Sequence, residues 1–256
     1  PETIKMAPVI HELRRRAADS GGPPLAVRVC VTAQHREMLD QVLDIFRIVP
    51  DHDLDVMEEG QSPAHVAAAV LARLSPILER ERPDWVLVQG DTTTVAAASL
   101  AACYAGVKVG HVEAGLRTHD KRRPFPEEIN RRVAGVVADR HFAPTQRARA
   151  NLLREGVPDE QVLVTGNPVI DALHWAVRQP PSPEALALLR RVGCAADSNG
   201  LGAASTARED GCALPRATPA MCASSIRCTP IRTSGSRCTA CWPAWRTSCS
   251  SRRWTI

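Results

Sequence analysis

Trp85-Val-Leu-Val-Gln89-Gly-Asp91-Thr-Thr-Thr94 is the stretch that decides the fold, together with Val107-Lys-Val-Gly-His111-Val-Glu113-Ala-Gly115 and Pro124-Phe-Pro-Glu127-Glu128-Ile-Asn130-Arg131. Trp85 to Gln89 is a short apolar run closed by Gly90, which reads as a buried parallel strand. Thr92 to Tyr104 is rich in alanine and free of glycine and proline, the composition of a helix. Val107 to Val112 is the next strand. The three make one βαβ unit, and its acidic residues fall just past the strand ends. In open α/β sheets ligands bind outside the carboxyl ends of the strands. Asp91 and Glu113 sit there, and Glu127 opens the following helix. Two of them have a plainer explanation to be weighed. Asp91 before three threonines can cap a helix, and Glu127 and Glu128 after Pro126 suit a first helical turn. Glu113, between a strand and Gly115, has neither excuse. Three carboxylates at successive strand ends tip the balance toward a site.

The rest of the chain repeats the alternation. Lys5 to Ala18 is an amphipathic helix, with Ile4, Val9, Ile10 and Leu13 on one side. Leu25 to Thr32 reads as a strand, with Gln34 and His35 past its carboxyl end. His35 fits an exposed loop as well as a ligand, and Lys5 alone would be an ordinary solvated lysine. A short helix over Asp40 to Phe46 and a loop over Pro50 to Asp55 follow. Pro63 to Arg80 is a helix, with Pro76 bending its last turn. His141 to Ala143 is a strand, Thr145 to Glu155 a helix ended by Gly156, and Val162 to Val164 a strand. Asn167-Pro168 opens a helix running to Val177. Strands alternating with helices predict a doubly wound parallel sheet, Rossmann-like. The Gly-x-Gly-x-x-Gly pattern of a nicotinamide site is absent.

Composition separates the chain into two texts. Residues 1–194 hold 24 basic and 25 acidic side chains, whereas the last 62 residues set eight arginines against three acids and contain no lysine or histidine. The overall charge of +4 therefore belongs to the tail. That tail carries six of the nine cysteines and no helical or alternating period, so an irregular segment is expected there. Cys238 and Cys241 have zinc-like spacing but lack a second ligand pair, and the arginines lack any nucleic-acid motif. No apolar run approaches the roughly 18 residues of a membrane span. Neither metal, nucleic acid nor membrane is expected as a partner.

Gln89-Gly-Asp-Thr-Thr-Thr94, His111-Val-Glu-Ala-Gly-Leu-Arg-Thr118 and Pro124-Phe-Pro-Glu-Glu-Ile-Asn-Arg131 closely resemble the non-hydrolysing UDP-N-acetylglucosamine 2-epimerases. So do Lys5-Met-Ala-Pro8, Ala33-Gln-His-Arg-Glu-Met-Leu-Asp40 and Val164-Thr-Gly-Asn-Pro168, in order and at matching spacing. The resemblance runs from Pro1 to about Trp175. It implies the N-terminal half of a two-domain, glycosyltransferase-B-like fold, with residues 1–166 as a Rossmann-like domain, 167–194 as the passage to a second domain, and 195–256 as an aberrant tail. It implies no cofactor, a cytoplasmic homodimer in polysaccharide biosynthesis, and a substrate pair of UDP-GlcNAc and UDP-ManNAc. Asp91, Glu113 and Glu127 match the catalytic carboxylates. Lys5 would meet the diphosphate, Gln34 and His35 a second, regulatory nucleotide-sugar site, and Arg131 would bind or support the acidic loop. The family's Gly-Thr-Arg loop before Pro1 has no counterpart here, and its Thr-Ala-His-Arg-Arg-Glu motif is reduced to Thr206-Ala-Arg-Glu209. Codons read one base out of phase over Cys228 to Thr255 can encode an apolar segment resembling the second domain, which predicts a frameshift between Cys194 and Gly211. A non-catalytic fragment that pairs with an intact subunit, and a nucleotide-sugar glycosyltransferase of similar shape, are the alternatives.

Overall fold

The computed structural model describes residues 2–19, 25–33, 36–56, 58, 60–191 and 252–255. Helix α1 (Glu2–Ala18) leads to β1 (Leu25–Arg28) and β2 (Cys30–Val31), followed by α2 (Arg36–Phe46) and β3 (His52–Asp53). Then come α3 (Pro63–Glu81), β4 (Trp85–Gln89), α4 (Thr93–Tyr104), β5 (Lys108–Val112) and α5 (Glu127–Val137). Strand β6 (Arg140–Ala143), α6 (Gln146–Arg154), a 3-10 turn (Asp159–Gln161), β7 (Val162–Val164), α7 (Val169–Ala176), α8 (Pro183–Arg191) and β8 (Arg252–Thr255) complete the order.

The chain divides into two compact units. The first, Pro1–Trp175 with Arg246–Ile256, contains one parallel sheet of order β1-β8-β4-β5-β6-β7 and the small parallel pair β2-β3. Strand β4 pairs with β5 along its whole length, from Trp85 opposite Lys108 to Gln89 opposite Val112. It is buried at every residue, as a strand covered on both faces must be. Helix α4 follows that logic: its alanines let it lie close against β4 and between α3 and α5. The core gathers α3 (Val66, Val70, Leu74, Leu78), β4 (Val86, Val88), β5 (Val109) and α5 (Ala134). Helix α1 packs on β1, β4 and α2. Of the second unit, Ala176–Trp245, the described part is residues 176–191, where the Ser182 hydroxyl caps α8 by accepting from the Ala185 N–H at 3.1 Å. Among the described residues no helix is long and apolar enough to cross a membrane.

The sheet is the expected parallel one, with local differences. The single strand over Leu25 to Thr32 is broken at Val29, because the Val29 carbonyl turns to accept from the N–H groups of Asp51 and His52. His52–Asp53 consequently forms β3 where a loop was expected. Helix α2 begins at Arg36, four residues before the expected Asp40. Arg252–Thr255, inside the tail that lacks any period, forms a strand inserted between β1 and β4. The rest of the tail, including Cys238 and Cys241, lies outside the described residues.

The turn after β5 fixes the site and is held by Gly115, whose φ is +85°. A Cβ there would lie 2.3 Å from the Ala148 carbonyl oxygen, a backbone atom that cannot swing away. Gly156 has φ +87° but open space around the missing Cβ. Gly115→Ala is therefore expected to cost about 2–3 kcal/mol and Gly156→Ala about 1 kcal/mol, read from denaturant midpoints. Equal losses would contradict the close approach at Gly115.

Candidate functional site

Glu113 is the centre of the polar cluster past the strand ends. It follows β5 with φ +65°, a left-handed conformation that costs a non-glycine residue about 1–2 kcal/mol. Its side chain is only 9% exposed. Three donors surround the carboxylate. Lys5 Nζ of α1 and Gln89 Nε2 of β4 each donate to Oε2 at 2.5 Å, and Asn167 Nδ2 donates to Oε1 at 2.6 Å. The Asn167 amide cannot turn round freely, because its Oδ1 accepts from the Val169 N–H at 3.0 Å at the start of α7. Glu113 thus ties together α1, β4, β5 and the segment before α7.

A second acidic group flanks it. Asp91, past β4, does not cap α4; Thr92 holds the cap position, and Asp91 accepts instead from Arg131 Nη2. Arg131 Nη1 donates to Glu128 Oε2 at 3.1 Å, so one guanidinium spans both carboxylates. Glu128 is fully buried and also accepts from the backbone N–H groups of Thr118 and His119, both at 3.1 Å. Burial alone would push its carboxyl up, but those amides and Arg131 outweigh it and hold the pKa below its usual value. Asn130 Nδ2 reaches Thr93 Oγ1 at 3.4 Å. Arg131 and Asn130 thus brace the acidic loop from within α5. Glu127 stands apart from these pairs and lines a cavity of about 570 Å³ together with Gln89, Thr92, Thr93 and Asn130. Its Oε2 is buried without a hydrogen-bond partner.

The structure therefore brings Lys5 to Glu113 and Arg131 to Asp91. Glu127 makes no hydrogen bond to Glu113; Lys5, Gln89 and Asn167 orient that carboxylate. Gln34 and His35 lie outside the described residues. Sequence reasoning missed Gln89, Asn167 and Glu128 as parts of the cluster. A buried glutamine ending an otherwise apolar strand was the available signal for Gln89, and the i,i+3 spacing of Glu128 and Arg131 for that pair. Among the described residues no three His, Cys, Asp or Glu side chains group to hold a metal ion.

Beneath the cluster, His111 of β5 and His141 of β6 stand opposite each other in the sheet. Both are 1% exposed. His111 Nε2 lies 2.7 Å from the Gly90 carbonyl, to which a neutral ring donates, while its Nδ1 has no hydrogen-bond partner. Burial lowers the pKa of each from 6.5 to about 4; the Gly90 carbonyl partly opposes this at His111, and the His111 ring adds to it at His141.

Residues 20–192 match the family model for UDP-N-acetylglucosamine 2-epimerase. The chain is 57% identical over 175 residues to the UDP-N-acetylglucosamine 2-epimerase of Salmonella typhimurium, covering 68% of this chain and 45% of that one. It is 53% identical over 178 residues to that of Bacillus subtilis, covering 70% and 45%. A crystal structure of UDP-GlcNAc 2-epimerase from Neisseria meningitidis bound to UDP-GlcNAc superposes with a TM-score of 0.67 at 47% identity, over 75% of this chain and 51% of that one. The Methanocaldococcus jannaschii enzyme in complex with UDP-GlcNAc and UDP gives 0.67 at 32% identity over 75% and 51%. The chain spans about half the length of the curated relatives it matches.

The buried histidines give the fold an acid limit. A ring whose pKa falls on folding binds protons better when unfolded, so stability is complete above 6.5 and declines as pH falls from 6.5 toward 4. Glu128, also lowered, adds a further loss below its ordinary 4.5. Urea denaturation across this range should show a fall on the order of 3 kcal/mol for each ring, about 6 kcal/mol for the two together, by about pH 4. A flat profile between 6.5 and 4.5 would contradict the burial of both rings.

Proposed function

This chain belongs to the UDP-N-acetylglucosamine 2-epimerase family, and on that premise we propose that its carboxylate cluster forms one wall of a site interconverting UDP-GlcNAc and UDP-ManNAc. The supporting observation is the convergence on Glu113 of Lys5, Gln89 and Asn167, beside the Asp91–Arg131 pair. The C2 proton of the sugar is not acidic enough for a simple carbanion route. Elimination avoids that species: the C2–H proton leaves to a base as the C1–O bond to UDP breaks, giving 2-acetamidoglucal. UDP then re-adds at C1 while a proton reaches C2 from the opposite face. Two proton-handling groups on opposite sides of the ring are required, and positioned carboxylates supply them. We assign proton transfer around C2 to Asp91 and Glu113. Glu127, which lines the cavity together with Gln89 and Asn130, assists from the α5 side. Lys5, now bonded to Glu113, would exchange that bond for the substrate's diphosphate, as a point charge. Arg131 keeps Asp91 oriented and adds positive charge near the nucleotide. Gln34 and His35 are proposed to face a second nucleotide-sugar.

The reaction also needs a closed cleft that excludes water and retains UDP beside the glucal. We infer that the described parts of Pro1–Trp175 form one wall of that cleft and that this chain by itself has no turnover. A homodimer and a cytoplasmic site of action belong to the same proposal. Helix α5 leaves Ile129 and Val136 exposed, Val136 by 88%, an apolar stripe that a second copy would cover.

Joined to the C-terminal half of the Salmonella typhimurium relative, this half should convert UDP-GlcNAc to UDP-ManNAc. Glu113→Gln or Asp91→Asn in that protein should cut kcat by at least ~10²-fold; Glu113→Gln should also lower the melting temperature, because its amide loses the ion pair with Lys5 and turns an NH2 toward a donor, while the protein stays folded at the assay temperature. Near-normal turnover in either variant removes that residue from the chemistry. The unmodified 256-residue chain should give no conversion; measurable conversion would overturn the one-wall reading.

A further inference from the structure

Gly90 is the joint from which Asp91 departs, and both of its backbone polar groups are tied to β5. Its N–H donates to the Val112 carbonyl at 3.1 Å. Its carbonyl accepts from Nε2 of His111 at 2.7 Å. Gly90 has φ +84°, so the chain leaves β4 in a left-handed turn. The Gly90 carbonyl and the Asp91 N–H belong to one planar peptide unit. Holding that carbonyl therefore sets the plane from which the Asp91 side chain departs. The two residues that hold the joint, His111 and Val112, directly precede Glu113. Asp91 and Glu113 are thus referred to one frame, the end of β5. Arg131 of α5 holds the far end of the Asp91 side chain.

The plainer account of His111 is a core residue that fills volume. Its chemistry argues against that. The ring is buried, and Nδ1 has no hydrogen-bond partner. With Nε2 donating, Nδ1 carries a lone pair, and burying an unpaired acceptor is unfavourable. A leucine or phenylalanine between Gly110 and Val112 would fill the space without that penalty. What the imidazole adds is an N–H for the Gly90 carbonyl. Arg117, Asp91, Arg131 and His141 are the charged and titratable groups around it. Burial outweighs them and lowers the pKa from 6.5 to about 4. The ring is therefore neutral near pH 7, with a single N–H to place, and the Gly90 carbonyl draws it to Nε2.

We propose that His111 is a positioning residue for Asp91: its Nε2–H holds the Gly90 carbonyl, fixes the Gly90–Asp91 peptide, and so sets how the Asp91 and Glu113 carboxylates stand to one another. This rests on the reading that those two carboxylates move the C2 proton. His111 itself touches neither substrate nor reacting atoms. It acts through Asp91, so its loss matters only while Asp91 is there to be misplaced. Misplacing a proton-handling group slows the chemical step and leaves affinity for the nucleotide largely unchanged.

Two measurements separate the bond from its consequence. In the whole chain, nitrogen NMR of the histidine rings near pH 7 should show His111 as the Nε2–H tautomer. Hydrogen exchange at the Gly90 amide should be about 10-fold faster in His111→Phe. It should stay near the parent rate in His111→Gln, whose amide can place an N–H where Nε2 stood. An Nδ1–H tautomer, or Gly90 exchange unchanged by His111→Phe, overturns the bond. His111→Leu replaces His111→Phe if the larger ring is not accommodated, and the tautomer needs no variant. In this half joined to the C-terminal half of the Salmonella typhimurium relative, His111→Phe should lower kcat about 10-fold with KM within about 2-fold. His111→Gln should recover most of that loss. In an Asp91→Asn background, adding His111→Phe should cost less than about 2-fold. An unchanged kcat in His111→Phe, or an undiminished further loss in the Asp91→Asn background, overturns positioning through Asp91. Near-normal turnover in Asp91→Asn alone is a different failure: it overturns the assignment of Asp91 to the chemistry, and with it the positioning role, whatever the tautomer shows.

Discussion

One carboxylate in a strained backbone position holds the described architecture of the first unit at its ligand edge. Glu113 sits at φ +65°, where a side chain is unfavourable by about 1–2 kcal/mol. That cost persists only because the surroundings over-determine it. Lys5, Gln89 and Asn167 all donate to the one carboxylate, and each comes from a different element. A charge-assisted hydrogen bond contributes on the order of 1.5–3 kcal/mol when its geometry is good. Three such bonds offset the backbone strain and draw α1, β4 and the approach to α7 to the end of β5. The close approach of Gly115 to Ala148 then fixes where that end can lie. Strain of this kind gathers at functional sites, where a pre-set geometry is worth more than a relaxed one.

The neighbouring group is organised on a different plan. Arg131 spans Asp91 and Glu128, and Glu128 in turn takes two backbone N–H groups from the 118–119 turn. A buried glutamate with this many donors is costly to break, because removing one partner leaves the others unsatisfied. Glu128 is therefore read as scaffold. Its neighbour Glu127 lines the cavity and has a buried oxygen without a hydrogen-bond partner. Adjacent residues of the same type thus have opposite environments, decided by which face of α5 each occupies.

That division marks what the sequence could reveal. The βαβ unit around Asp91 was legible because apolar runs, an alanine-rich helix and Gly90 punctuate it clearly. The positions of Asp91 and Glu113 past the ends of β4 and β5 were legible because the strands themselves were. The split of β1 from β2 was not, since Val27, Val29 and Val31 preserve alternation through the break, and the partner strand His52–Asp53 is two polar residues long. Gln89 and Asn167 stood in plain view within motifs, but their donation to Glu113 spans 24 and 54 residues and exists only in three dimensions. Nothing in Arg252-Arg-Trp-Thr255 announces a strand; it pairs because β1 and β4 present a place for one, a tertiary effect overriding local preference.

The most direct measurement of the account is solvent deuterium at the sugar C2. UDP-GlcNAc incubated in deuterated water with this half, joined to the complementary half of a relative, should gain one deuteron at C2, seen by mass spectrometry and proton NMR. The same protein carrying Glu113→Gln should leave C2 protonated while retaining its fold. Deuterium entering C2 at an undiminished rate in the Glu113→Gln protein would contradict the central claim that this carboxylate moves the proton.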